Sequence, residues 1–231
     1  MERYFHKELD ELKEHLLKMA LLTKEAIEKA TRALLEQNIE LAEHVIAQDK
    51  VINNLELEID ERAHSLLTLR QPMAVDMRLL TMILKINNDL ERIGDHAVNV
   101  AERVAPIREA GVISEVCPVT SFCPITEMSK LVTSVLIEAV EAFLKRDAIA
   151  ALKLLKKDDE IDRLNDKVYE DMSERMRQEP DKAPTCMALV MISHNLERIG
   201  DLANNIAEDV IYVAQGREVR HHAGEEFKPK P

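Results

Sequence analysis

The chain contains one six-residue sequence twice, LERIGD at residues 90–95 and again at residues 196–201. The longer segments around it, 86–102 and 192–208, are identical at 11 of 17 positions. Upstream, residues 16–55 and the residues 109 positions later carry apolar side chains at matching places. Self-similarity over such a length indicates an internal structural repeat. We therefore expect the chain to fold as two copies of one unit.

Each copy shows three stretches in which apolar residues recur three and four positions apart, the period of an amphipathic helix. In the first copy, Asn38 is predicted to cap the second helix, and Pro72 and Pro106 are predicted to end the second and third helices. In the second copy, helices are predicted over 125–146, 147–178 and 185–215. The pattern predicts an all-α fold made of two tandem antiparallel three-helix bundles related by internal duplication.

The composition also favours long helices with few turns. Glycine occurs only 5 times in 231 residues, aromatic residues make up 3% and hydrophobic residues 46%. These values exclude a natively disordered chain and disfavour turn-rich β folds. A stretch without helical period, rich in proline, separates the two copies. We assign residues 1–106 to the first bundle, 107–124 to a linker, 125–215 to the second bundle and 216–231 to a flexible tail.

The chain has 31 basic and 43 acidic residues, a net charge of −12. This balance disfavours nucleic acid as a partner, because neutralising phosphates requires a basic surface. No apolar run approaches the roughly 20 residues that span a bilayer, and the first ten residues are too polar for a signal-peptide core. We expect a cytoplasmic protein that does not insert into membranes. The cysteines, Cys117, Cys123 and Cys186, form no CxxC pair and predict neither a disulfide framework nor a sulfur-bound metal.

The repeated segment places acidic side chains on one stripe of a helix. At about 100° per residue, Glu91, Asp95 and Glu102 fall within about 40° of one another, nearly opposite the apolar seam of their helix. Glu197, Asp201 and Glu208 repeat the arrangement in the second copy. Carboxylates one helical turn apart are typical ligands of hard cations, and Gly94 and Gly200 beside them would allow a ligand or another helix to come close.

Two other interpretations of this stripe stay open. Acidic residues opposite an apolar seam often form only a solvated face, with Arg92 and Arg198 compensating the charge. A carboxylate-bridged di-metal enzyme on a helical bundle needs Glu-x-x-His on two helices. Residues 61–64 supply one such triplet, but the second copy has Ser173 in place of the histidine, so no catalytic residues are assigned.

Smaller signals receive ordinary structural interpretations. His96 follows Asp95 but has Leu202 as its counterpart, so we expect a solvent-facing side chain and no metal ligand. Five methionines near the starts of the third and sixth helices are expected to fill the core. They are Met73, Met77, Met82, Met187 and Met191.

The doubled LERIGD, followed in each copy by Ala and Asn-x-Ala-Glu, resembles the PhoU family of bacterial phosphate-uptake regulators. Gln71 to Arg78, the Lys18 region of the first helix and the acidic stretch from Asp49 to Asp60 match as well, and the likeness extends over essentially 1–215. The resemblance implies six helices in two bundles and a homodimeric, non-enzymatic, cytoplasmic negative regulator of the phosphate-starvation response. Its implied partners are the sensor histidine kinase of the phosphate regulon and the ATPase of the phosphate ABC transporter.

The resemblance also implies a metal. Some relatives bind iron or zinc clusters through an (E/D)xxxD motif, which corresponds here to Glu91 with Asp95 and to Glu197 with Asp201. Secondary candidates are Glu102, Asp162 and Glu208. The chain departs from the family pattern at Asn53, where an aspartate is usual, so the second site is the stronger metal candidate. The Pro-Met-Ala-Val-Asp-Met-Arg sequence before the third helix is also missing before the sixth.

Overall fold

The computed structural model describes residues 2–70, 72–110 and 124–215, and these residues form helices and short turns without a strand. The linker residues 111–123, with Cys117 and Cys123, and the tail residues 216–231 lie outside the described residues. Eight α-helices are described. They are α1 (Glu2–Glu36), α2 (Ile39–Arg70), α3 (Ala74–Glu102), α4 (Val104–Ala110), α5 (Pro124–Lys145), α6 (Ala148–Leu154), α7 (Asp158–Gln178) and α8 (Ala183–Gln215).

The helices form two three-helix bundles that pack against each other. Helices α1, α2 and α3 pack on one another, and α5, α8 and the α6–α7 pair do the same. Helix α3 also packs against α8, and α1 against α5, so the two copies meet through their first and third helices. A single apolar cluster runs through both bundles. The predicted duplicated all-α architecture is confirmed. None of the described helices is apolar enough over its length to cross a membrane.

The turn after the first helix is the same in both copies. Gln37 and Arg146, its equivalent 109 residues on, both have positive φ, 52° and 55°. The N–H groups of Asn38 and Asp147 reach back to carbonyls of the preceding helix at 2.9 and 2.8 Å, which satisfies its last turn. The side chain of Asn38 accepts a hydrogen bond from Leu41 N at 3.0 Å, so its predicted capping role is confirmed.

Two helix boundaries differ from those predicted. Helix α3 ends at Glu102, and Pro106 lies in the first turn of α4, where its missing N–H needs no partner. The middle helix of the second copy is interrupted: a 3-10 turn, Leu155–Lys157, separates α6 from α7. Helix α7 restarts with acidic residues throughout its first turn, which the helix dipole favours.

Candidate functional site

Each copy contains a groove where its second and third helices approach closely at a glycine. A Cβ atom on Gly94 would lie 3.4 Å from Ile52 Cδ1 on α2 and 3.6 Å from Asp49 Oδ1. A Cβ atom on Gly200 would lie 2.8 Å from Ile161 Cδ1 on α7. Gly200 therefore admits the neighbouring helix, whereas Gly94 leaves room for a methyl group. The acidic residues beside both glycines lie along the groove between the two helices, where Asp95 and Asp162 are exposed and the others half-buried.

The first groove collects carboxylates from both of its walls. Helix α2 supplies Asp49 and Glu56, and α3 supplies the predicted pair Glu91 and Asp95. Asn53 Nδ2 donates a hydrogen bond to Asp49 Oδ2 at 2.8 Å. Asp49 Oδ1 and Asn53 Oδ1 are buried without a hydrogen-bond partner. The groove thus holds oxygen atoms that have lost water and gained no donor, a costly state.

Electrostatics in the first groove work against full ionisation. Burial raises the pKa of Glu91, and the charges of Asp95, Glu56 and Asp49 raise it further. Burial likewise raises the pKa of Asp49; the hydrogen bond from Asn53 opposes this shift, and the charge of Asp95 adds to it. Several carboxylates therefore compete in one place with little compensating positive charge, which is the electrostatic condition that a bound cation relieves.

The second groove has the same plan and the same number of carboxylates, with Asp162 in place of Asn53 and Asn165 in place of Glu56. Asp158 and Asp162 on α7 face Glu197 and Asp201 on α8. Burial raises the pKa of Asp158, and the charges of Asp162 and Asp201 add to the shift. Burial also raises the pKa of Asp162, and among the neighbouring charges Asp201 adds most to the shift. The predicted pair, Glu197 and Asp201, therefore lies opposite two aspartates of the preceding helix.

Basic side chains beside the second pair compensate it only in part. Arg198 Nη1 donates to Asp201 Oδ2 at 3.1 Å. His194 Nδ1 lies 3.0 Å from Glu197 Oε2, but without hydrogen-bond geometry, and that oxygen is buried and unsatisfied. Burial raises the pKa of Glu197, and the charge of Asp201 adds to this while His194 opposes it. One oxygen of the predicted pair is therefore buried beside His194 without a hydrogen bond.

In each groove one asparagine side chain donates a hydrogen bond to the aspartate at equivalent positions 49 and 158, but the asparagine comes from a different helix in each copy. In the second copy, Asn204 on α8 donates to Asp158 Oδ1 across the groove. The counterpart of Asn204 in the first copy is Val98, and there the equivalent aspartate, Asp49, takes its donor from Asn53 on its own helix. Sequence reasoning singled out Asn53 but not Asn204. The difference between Val98 in the first copy and Asn204 in the second could have identified it.

The secondary candidates are placed differently from one another. Glu102 is exposed and lies two helical turns beyond Asp95. Glu208 is half-buried and lines a cavity of about 340 Å³ together with Asp158 and Asp201. Arg92 and His96 of the first copy reach the same cavity. The second groove therefore opens into a cavity to which both copies contribute side chains.

His96 is not the solvent-facing residue that the sequence predicted. It is half-buried, and its Nδ1 lies 2.9 Å from Asn195 Oδ1 across the interface between α3 and α8. The expectation was wrong because the helix face that carries His96 is covered by the other copy. The exposed methionines are a second correction: Met73, Met77, Met187 and Met191 are 39–80% exposed instead of filling the core.

The described residues contain no ready-made cluster of three or more His, Cys, Asp or Glu side chains arranged to hold a metal ion. The unsatisfied buried oxygens and the opposed carboxylates nevertheless fit the preference of a hard cation for oxygen ligands. His64, the histidine of the Glu-x-x-His triplet, is exposed, and its Nδ1 lies 3.0 Å from the Asp60 carbonyl oxygen. It is engaged on its own helix, apart from the grooves.

The duplicated three-helix bundle belongs to the PhoU class of helical domain. The PhoU domain matches the chain twice, over residues 16–104 and 125–210. The chain belongs to the PhoU family. The expected resemblance is thereby confirmed over nearly the whole sequence.

Relatives of known name agree with this assignment. The phosphate-specific transport system accessory protein PhoU homolog of Aquifex aeolicus is 40% identical over 93% of this chain and 95% of its own length. The crystal structure of PhoU from Pseudomonas aeruginosa superimposes with a TM-score of 0.84 at 34% identity, covering 92% of this chain and all of that one. The regulatory PhoU protein of Streptococcus pneumoniae gives 0.80 at 30% identity, covering 93% of this chain and 99% of its own. These names describe accessory or regulatory proteins rather than enzymes.

Proposed function

We propose that this chain is a regulator of phosphate uptake that represses the phosphate-starvation response as a non-enzymatic adaptor in the cytoplasm. Its partners are the ATPase of the phosphate ABC transporter and the sensor histidine kinase of the phosphate regulon. The observation that carries the proposal is the full-length match to PhoU accessory and regulatory proteins, with the LERIGD segment present in both copies.

The surface supports a role in docking. Exposed methionines lie at the starts of α3 and α8, with Met73 80% and Met187 50% exposed. Because α3 and α8 run antiparallel, with His96 against Asn195 and Lys85 against Asp209, these two starts lie at opposite ends of the helix pair. Flexible, polarisable methionines at a surface are typical of protein-binding sites. Two separated apolar sites suit an adaptor with two partners. As part of the same proposal, the adaptor acts as a homodimer.

The acidic grooves are the proposed metal sites of the adaptor. Glu91 with Asp95 and Glu197 with Asp201 would hold iron or zinc, and the unsatisfied oxygen of Glu197 supports this assignment. A bound cation supplies positive charge that neutralises the opposed carboxylates and ties the third helix to the second. The chain's own residues bind and orient the ion, and no bond-making step is proposed.

Deletion of the gene, with a phosphate-regulon reporter, tests the function. Loss of the protein should leave the reporter active in phosphate-rich medium, and the wild-type gene should restore repression. Tagged protein from phosphate-replete cells should co-purify with the transporter ATPase or the kinase. An unaltered reporter together with recovery of neither partner would refute the proposal.

A further inference from the structure

A groove on the second copy, away from the acidic pairs, has an apolar floor and a rim of lysines and carboxylates. It lies between the end of α5 and α6 and encloses about 410 Å³, within the range of ligand pockets. Its floor is formed by Ala142, Ile149, Ala150 and Leu154, and Ile149 is 57% exposed. An isoleucine this exposed, with lysines around it, offers an apolar contact for a side chain of a partner protein.

The acidic residues of this groove already have partners. Glu138 accepts from Lys157 at 2.9 Å, and Glu141 pairs with Lys145 at 2.8 Å. Asp147 accepts two backbone hydrogen bonds as the cap of α6. Within the described part of the chain, exposed Lys153 has no ion-pair partner. The lining itself is balanced, with three lysines and three carboxylates, but Arg146 and Lys156 adjoin it in the sequence, so residues 138–157 carry a net charge of +2 in a chain of net charge −12.

The internal repeat provides a comparison. Residues 145–157 carry five basic side chains and one acidic one, whereas the equivalent residues 36–48 carry three acidic side chains and no lysine or arginine. The counterpart of Ile149 is Glu40. The 3-10 turn Leu155–Lys157 interrupts the middle helix of the second copy, whereas the middle helix of the first copy, α2, is continuous. The apolar and basic character is thus a property of one copy and does not follow from the fold.

We propose that this groove docks an acidic segment of a partner protein, with a large apolar side chain against Ile149 and carboxylates on Lys153 of the rim and on the adjoining Lys156 and Arg146. Charge complementarity supports an acidic occupant. The recessed floor suits a peptide better than the flat surface of a bilayer, and a net charge of −12 opposes approach to anionic lipid. The inference rests on the proposed adaptor function and specifies the chemistry of one docking partner.

The test uses the full chain and fluorescein-labelled peptides made of Asp and Glu around one central Leu, Ile or Phe. Two variants change the groove. Ile149→Glu installs the residue of the first copy, and Lys153→Glu with Lys156→Glu reverses the charges of one rim lysine and of the lysine next to it without breaking an ion pair. The matched control, Lys50→Glu with Lys130→Glu, makes the same charge change on exposed lysines elsewhere. Circular dichroism verifies that every variant is folded.

Fluorescence anisotropy should detect binding to the wild-type protein that weakens as salt is added. Reversing the two lysine charges should weaken it about tenfold and Ile149→Glu at least about threefold, with the control unchanged. Equal binding to groove and control variants, equal binding of peptides that lack the apolar residue, or no binding at all would overturn the proposal. So would binding to phosphatidylglycerol vesicles in place of the peptides. The peptide assay is independent of the regulon reporter, so the two proposals fail separately.

Discussion

Lys85 on α3 clamps the carboxylate of Asp209 on α8, with Nζ 2.6 Å from Oδ1 and 2.7 Å from Oδ2. Asp209 is only 1% exposed, so this ion pair ties the two bundles together in a nearly dry place. The equivalent pair in the other half of the interface is Met191 and Arg103. The two copies therefore differ in sequence at their shared interface, and only one half of it has this ion pair.

Replacing Lys85 by the residue of the second copy, Lys85→Met, should lower the free energy of unfolding by about 2–4 kcal/mol, because it leaves a buried carboxylate without its ammonium partner. Urea denaturation measures the change. The exposed pair Lys24 and Glu28, 3.2 Å apart, provides the control: Lys24→Met should cost less than about 1 kcal/mol. Adding Asp209→Asn to Lys85→Met should recover part of the loss. Equal effects of the two lysine variants would contradict the assignment.

Asp89 should make stability depend on pH at the same interface. Its side chain is buried, and burial together with the charge of Asp209 raises its pKa to about 7, with Arg92, 3.8 Å away, opposing the shift. The folded pKa exceeds the unfolded value of about 3.8, so the folded protein binds the proton more tightly and stability falls as pH rises from about 4 to 7.

Asp89→Asn installs the residue of the second copy, Asn195, and removes that penalty. It should raise the free energy of unfolding by about 2–4 kcal/mol at pH 8 and change it little near pH 4, since one pKa unit corresponds to about 1.4 kcal/mol. Urea unfolding at the two pH values tests this, with exposed Asp171→Asn as the control. A gain of the same size at both pH values would refute the assignment.

The groove glycines should respond unequally to alanine. Gly94→Ala brings a Cβ atom no closer than 3.4 Å to its neighbours and gains helix propensity, so it should be neutral or stabilising by up to about 1 kcal/mol. Gly200→Ala meets Ile161 Cδ1 at 2.8 Å and Cγ2 at 3.2 Å and should be destabilising by about 1 kcal/mol. Adding Ile161→Val to Gly200→Ala removes the nearer atom and should restore stability. Thermal melts that rank the two alanine variants in the opposite order would exclude this account.

Replacing either of the two left-handed turn residues by glycine should stabilise the protein. Gln37 and Arg146 hold φ values of 52° and 55°, which glycine adopts more readily than other residues. Gln37→Gly and Arg146→Gly should each raise the free energy of unfolding by about 0.5–1 kcal/mol. Glu14→Gly, at an exposed position inside α1, should lower it by about 1 kcal/mol. A loss of stability in all three variants would show that the turn geometry is not limiting.

Metal content should depend chiefly on the second groove. Elemental analysis of protein purified without affinity resin should find iron or zinc, and Glu197→Ala with Asp201→Ala should remove more of it than Glu91→Ala with Asp95→Ala. The reason is the carboxylate of Asp162, which acts on Asp201 from the position where the first copy has Asn53. Asn53→Asp should narrow the difference. Substoichiometric metal that both double variants leave unchanged would rule out the metal sites.

The sequence by itself determined the duplication, the six principal helical stretches, the cap at Asn38 and the paired carboxylates of each copy. These features are local or periodic: helix faces repeat every 3.6 residues, and an N-cap acts within one turn. Helix ends were less well determined. Pro106 was expected to end a helix and instead lies in the first turn of α4, because proline is tolerated there and only the chain's actual path decides which applies.

Only the tertiary structure decided what the marked residues face. The carboxylates of LERIGD meet the acidic stretch of the preceding helix, His96 is covered by the other copy, and Asn204 takes the donor role that Asn53 has in the first groove. These relationships join residues 40 to 100 positions apart, so they depend on how whole helices pack. Periodicity specifies which face of a helix is apolar, but the neighbour that covers each remaining face is fixed by the packing of the two bundles against each other.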